Sequence, residues 1–189
     1  FDQASDEMLD AWDHASLFVN QQLQRNQIFK DPEVLEYMAK LQKSLLKTEV
    51  VGKSNSLADI IKTVYRELMG GEPENFKIPS SSQAVAQSMM TYQSSHRAND
   101  LWHFVTPDYR KSSMWIQLKS GDNKDMSKVV KDVNSYIDKN PPPIPLDFDW
   151  FGLTYINVIW QDKMVNGMLQ AFIGSFLVGL LMMTILFCS

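Results

Sequence analysis

The last stretch of the chain, Val165 to Ser189, lacks any Asp, Glu, Lys, Arg or His, although the rest of the sequence is well supplied with them. A helix from Gly167 to Cys188, rising about 1.5 Å per residue, reaches roughly 33 Å, enough for a hydrocarbon core of about 30 Å. Most globular helices keep one polar face. The stretch is therefore read as a membrane span over about 166–188, with a greasy core helix as the alternative. Cysteine is also scarce. The one thiol, Cys188, sits in the apolar run and is expected to pack as a small hydrophobe. Disulfide frameworks and cysteine-rich metal sites within the chain are thereby excluded. A basic excess is missing as well, since the formal net charge is −4, so no nucleic acid partner is expected. No signal-peptide pattern opens the sequence, and its start on Phe1 reads as a segment of something longer.

Constellations for catalysis are equally sparse. Val51-Gly52-Lys53-Ser54 ends like a phosphate-binding loop, but the earlier glycine that loop requires would fall at Lys47. His14, His96 and His103 lack a paired ligand spacing. No GxSxG is present, so no nucleophile has its setting. Asp122 with Asp125, and Asp147 with Asp149, are read as a turn and the wet face of a strand rather than as calcium or acid–base pairs. The expectation is a protein that is not an enzyme, with no metal and no cofactor.

What is present is apolar material with clear periodicity. Hydrophobic residues make up 44% of the chain, enough for a packed core. Near the start, Met8, Leu9, Trp12 and Ala15 suit a helix that Ser5 can cap, while Ser16 to Val19 could leave it as a strand. Asp31 and Pro32 start a helix to about Lys47, with Val34, Leu35, Met38, Leu41, Leu45 and Leu46 on its apolar face. An extended piece follows, Glu49 to Lys53. Ser56 then caps a helix that buries Leu57, Ile60, Ile61, Val64, Tyr65 and Leu68, and Gly70 with Gly71 ends it. A third helix runs from Ser80–Ser82 to about Tyr92.

Leu101–Val105 and Ser112–Lys119 are expected to be strands joined by a turn at Thr106-Pro107-Asp108, and Met126 to about Asp138 a helix. Pro141, Pro142, Pro143 and Pro145 force an extended approach to a last strand, Leu146–Ile156, before an exit helix near Asn157. This order predicts an α+β fold, with residues 1–156 as the folded domain and 157–189 as the connecting and membrane helix.

Aromatic residues concentrate between Trp102 and Phe151. Most should be core. Trp102, Phe104, Trp115, Trp150 and Phe151 are the candidates to line an apolar substrate cleft. Within the span, Ala171, Ser175 and Gly179 recur every four residues, with Gly167 near the same face. Small residues so spaced allow close helix approach in lipid, so other transmembrane helices, or a second copy in a homo-oligomer, are expected partners. Trp160 and Lys163 suit the interface just before the span.

Four passages carry a resemblance. They are Lys30-Asp31-Pro32-Glu33-Val34-Leu35; Ser56-Leu57-Ala58-Asp59-Ile60-Ile61-Lys62, with Ile78-Pro79 after it; Phe104-Val105-Thr106-Pro107-Asp108-Tyr109-Arg110-Lys111; and Phe151-Gly152-Leu153-Thr154 before the apolar helix. In this order they resemble an extracytoplasmic loop of the RND transporter superfamily, especially the predicted exporters grouped with the MMPL proteins. The family usually has Thr-Gly where this chain has Phe151-Gly152, so that passage departs from the pattern.

The resemblance implies ferredoxin-like βαβ porter-type subdomains, with Ser16–Val19 as a first strand, and a bacterial inner membrane location with the soluble domain on the periplasmic side. It further implies proton-driven export of hydrophobic small-molecule or lipid substrates. The family's proton-relay carboxylates lie in a membrane helix outside this sequence, so no catalytic residue carries over. From the residues alone, a single-pass membrane-anchored ligand-binding or sensor module stands as the alternative.

Overall fold

The computed structural model describes residue 8, residues 11–19 and residues 26–187. Helix α1 covers 11–19, with all of its residues exposed. This corrects the strand expected at Ser16–Val19: the segment continues the helical turn begun near Trp12. The proposed cap Ser5, the stripe residue Leu9 and the thiol of Cys188 lie outside the described residues.

From Gln27 onward, caps fix the element boundaries. A short 3-10 turn, Ile28–Lys30, leads into α2, Pro32–Leu46. There the Asp31 carboxylate accepts from the Glu33 N–H at 2.9 Å, and Pro32 occupies a position whose own N–H would be unpaired. Strand β1 is Val51–Asn55. Helix α3, Leu57–Leu68, opens on a capping box: Ser56 Oγ accepts from the Ala58 N–H at 3.1 Å, and the Asp59 carboxylate accepts from the Ser56 N–H at 3.0 Å. It ends where Gly70 and Gly71 take φ of 91° and 85° and the Gly71 N–H reaches the Arg66 carbonyl at 2.8 Å. Helix α4, Ser82–Gln93, is capped by Ser81. Helix α5, Asn123–Lys139, is capped by Asp122.

Three expected strands reduce to one. Residues Ala98–His103 form a 3-10 helix, and only Val105 makes an isolated bridge, to Ser112. The second strand, β2, is Trp115–Leu118 and pairs antiparallel with β1, Ser54 opposite Ile116, with a bulge at Gly52. Residues 146–152 run extended without a ladder, and helix α6 begins at Leu153, several residues before the expected start. The head is thus a mixed α+β body whose described residues hold one two-stranded sheet.

Two apolar clusters share α2. Its first turns send Val34 and Leu35 into a cluster with Leu57, Ile61, Val85, Met89, Leu101, Val105 and Tyr109. Its last turns send Leu41 and Leu45 into a second, with Val51, Val129 and Val133. Between them Gln42, only 4% exposed, is fully engaged. It donates to Asp59 Oδ2 at 2.7 Å and to Ser54 Oγ at 3.3 Å, and accepts from Ser56 Oγ at 2.6 Å. Among the described residues no buried side-chain nitrogen or oxygen lacks a partner.

Helix α6, Leu153–Phe187, has no buried residue at all. Its root meets α5, and beyond Val165 it stands clear of the head. Among the described residues nothing packs over it, so it is not a core helix of this head. A helix apolar all round and covered by nothing is long and apolar enough to cross a membrane.

Candidate functional site

The second cluster is not closed. A cleft of about 570 Å³ lies between α2, α5, β2 and the extended segment that leads into α6. Its floor is Tyr37, Leu41, Val129 and Val133, and β2 with its approach supplies one wall through Met114, Trp115, Ile116 and Leu118. Leu146 to Tyr155 form the other, so the first turn of α6 is part of the site. Residues 146–150 keep only part of the alternation, and without a ladder, since Phe148 is exposed. Leu146 and Trp150 turn inward and are half-buried, while Asp147 and Asp149 are exposed at the rim.

Of the five aromatic candidates, three come together here. Trp115 meets Phe151 edge to face, with centroids 6.1 Å apart at 89°. Its indole N–H donates to the His103 carbonyl at 3.4 Å, which holds the ring across the mouth. Trp150 stacks on Tyr155 at 6.0 Å and 29°, joining the extended wall to α6. Gly152 lies between these pairs with φ of 112°, a conformation that a side chain would strain, and makes the turn from wall to helix. Trp115 and Phe151 remain 52% and 62% exposed, so both offer ring faces to a ligand. The remaining two candidates sit elsewhere. Trp102 packs on Tyr109 at 6.3 Å, and Phe104 leans on the first cluster.

Tyr37, on the cleft floor, could not be picked out from the sequence. Its hydroxyl donates to the Asn140 carbonyl at 2.9 Å, and its ring lies 6.0 Å from Tyr136. Burial, with a smaller contribution from Tyr136, pushes its phenol above the usual value. It is therefore a neutral donor already committed to the backbone. Its place on the buried face of α2, four residues before Leu41, is the only sequence signal it gives.

Away from the cleft, the turn Thr106–Lys111 is braced by its own side chains. The Thr106 hydroxyl donates to Asp108 and accepts from the Lys111 N–H at 3.1 Å. That hydroxyl, with the Arg110 N–H, holds the Asp108 carboxyl below the ordinary carboxylate range. Tyr109 takes φ of 55° and is buried, its hydroxyl accepting from Gln93 at 2.7 Å. Lys30 lies 4.0 Å over that ring, and burial lowers its ammonium from the usual value. These contacts build a corner of the fold.

His14, His96 and His103 are exposed and apart. Among the described residues no group of His, Cys, Asp and Glu could hold a metal. On α6, Gly167, Ala171, Ser175 and Gly179 are all exposed, and a Cβ placed on Gly167 or Gly179 would meet open space. Ser175 Oγ donates back to the Phe172 carbonyl at 2.8 Å, so this face carries no unpaired hydroxyl. No family model, curated protein or solved structure matches this chain.

Proposed function

We propose that this segment belongs to a proton-driven RND-type exporter, forming part of the periplasmic substrate route for hydrophobic or lipid-like molecules. The observation that carries the reading is the apolar cleft of about 570 Å³ at the root of an uncovered apolar helix. A ligand leaving lipid would meet Trp115, Phe151 and Trp150 without crossing open water, and such cavities suit molecules of drug size. The first turn of α6 is a wall of that cleft, so movement of the membrane helix changes the shape of the site. In this reading the segment's porter domain faces the periplasm from a bacterial inner membrane, and the small-residue face of α6 packs against other helices of the longer chain.

A second reading, a single-pass anchored ligand-binding module, is favoured by the sheet. Ferredoxin-like porter subdomains are built on a larger sheet formed by two split βαβ units, whereas the sheet of the described residues has two strands. Proteoliposomes carrying the full-length protein separate the two. The exporter moves an apolar dye when a proton gradient is imposed, and Trp150→Ala slows that movement at least tenfold, a loss in line with removing a large buried aromatic contact. Dye binding without gradient-dependent movement leaves the anchored module. Absence of both removes the cleft from either role.

A further inference from the structure

We propose that the groove between α5 and the root of α6 seats the headgroup of an anionic phospholipid. The inference rests on α6 crossing a membrane but not on export. Lys124, Lys128 and Lys131 recur at i, i+4 and i+7 on α5 and face Val158, Gln161, Asp162 and Val165 of α6 across a groove of about 900 Å³. Asn123 Nδ2 donates to Gln161 Oε1 and ties the two helices together. The three lysines are exposed, and none belongs to an ion pair among the described residues.

The neighbouring carboxylates are mostly occupied. Asp122 caps α5 by accepting from the Lys124 N–H at 2.9 Å, and Asp125 accepts from the Ser120 hydroxyl. Asp162 alone faces the groove without such a duty. The lining holds three lysines against two aspartates, Asp122 and Asp162, in a chain whose net charge is −4.

Position selects the ligand. Val165 begins the charge-free stretch, and Val158 lies about 10 Å above it along the helix. The headgroup layer of one leaflet is roughly 5–8 Å deep, so the groove occupies the level of the lipid phosphates. Trp160 and Lys163 stand at that level too, and both residue types favour it. Each lysine near an anionic membrane surface is worth roughly fivefold in binding. A zwitterionic lipid offers no such gain.

The test is native mass spectrometry of the full chain released from nanodiscs of phosphatidylcholine mixed with phosphatidylglycerol. The wild type is expected to retain phosphatidylglycerol selectively. Replacing all three lysines (Lys124→Gln, Lys128→Gln, Lys131→Gln) reduces that selectivity at least tenfold. Asp162→Asn raises it, a change that misfolding cannot imitate. Equal retention of both lipids by the wild type, or unchanged selectivity in the triple variant, overturns the proposal. Displacement of the lipid by inorganic phosphate would show a site for the free anion and overturns it as well. Recovery of the chain outside the nanodiscs overturns the membrane reading of α6 together with the groove, whereas insertion without lipid selectivity overturns the groove alone.

Discussion

From α2 to α5 the buried apolar faces of the helices have protein partners: Val34 and Leu35 of α2 meet Leu57 and Ile61 of α3, and Leu41 and Leu45 meet Val129 and Val133 of α5. In α6 the residues of the same chemistry, from Met168 through Phe172, Phe176 and Leu180 to Phe187, stand open on every side. The head also closes its helix ends with Asp31, Ser56, Ser81 and Asp122, while the apolar half of α6 contains no charged group. The contrast teaches where each half finds its stability. One is held by its own packing and polar network, and the other is apolar enough to cross a membrane and has no protein cover among the described residues.

Truncation is the sharpest way to break that contrast. Leu35→Ala removes a fully buried side chain and should cost the head about 2–5 kcal/mol in thermal or denaturant unfolding in detergent. The matching change Leu177→Ala on α6 should leave the same transition within about 0.5 kcal/mol. Equal losses would mean that α6 packs on the head. Charge gives the inverse test. Leu177→Arg should disfavour membrane insertion by about 2.5–3.5 kcal/mol, scored by glycosylation or alkali extraction, and leave the head's unfolding unchanged.

Inside the head, Gln42→Ala strips partners from Ser54, Ser56 and Asp59 and should cost about 1–3 kcal/mol. No loss would mean that the two clusters do not depend on the polar junction between them. The smallest expected effect concerns acid. Asp108 is held below the ordinary carboxylate range, chiefly by the Thr106 hydroxyl, so its contribution is complete above the unfolded value near pH ~4 and fades as pH falls through the folded value. Asp108→Asn should flatten that part of the stability–pH curve and leave neutral pH nearly untouched, because the group is fully exposed.

The elements that were legible in the sequence are those with chemical punctuation. Asp31-Pro32, Ser56 and Gly70-Gly71 each announce a backbone group that needs a partner or a turn, and the structure uses them so. What failed was periodicity over short apolar runs. Leu101 to Val105 reads as a strand because it is bulky and aromatic, yet its buried members, Leu101 and Val105, stand four apart as on a helix. Alternation in Leu146–Trp150 anticipates the inward Leu146 and Trp150 but not the exposed Phe148, and a strand also needs a neighbour with free backbone groups, which no local pattern supplies. The same limit hid Gln42, whose polarity suggested solvent. Its partners lie on β1 and α3, and only the fold brings them to it. In the cleft, Trp115, Trp150 and Phe151 were legible as aromatic material, whereas the exclusion of Trp102 and Phe104 depends on a 3-10 turn that periodicity misassigned.

One geometric property of α6 reaches beyond anchoring. It runs as one unbroken helix from Leu153 to Phe187, about 52 Å in length, and some 20 Å of that stands between Leu153 and the expected span. On the proposed membrane reading, the helix would act as a lever below the turn at Gly152, with its pivot at the bilayer surface. A change of tilt by about 10°, well within the range that membrane helices adopt, carries the Leu153 end sideways by roughly 3–4 Å. That is the width of one methylene layer, applied to the wall where Phe151 faces Trp115. On that reading, bilayer thickness and helix orientation would set the aperture of the aromatic mouth.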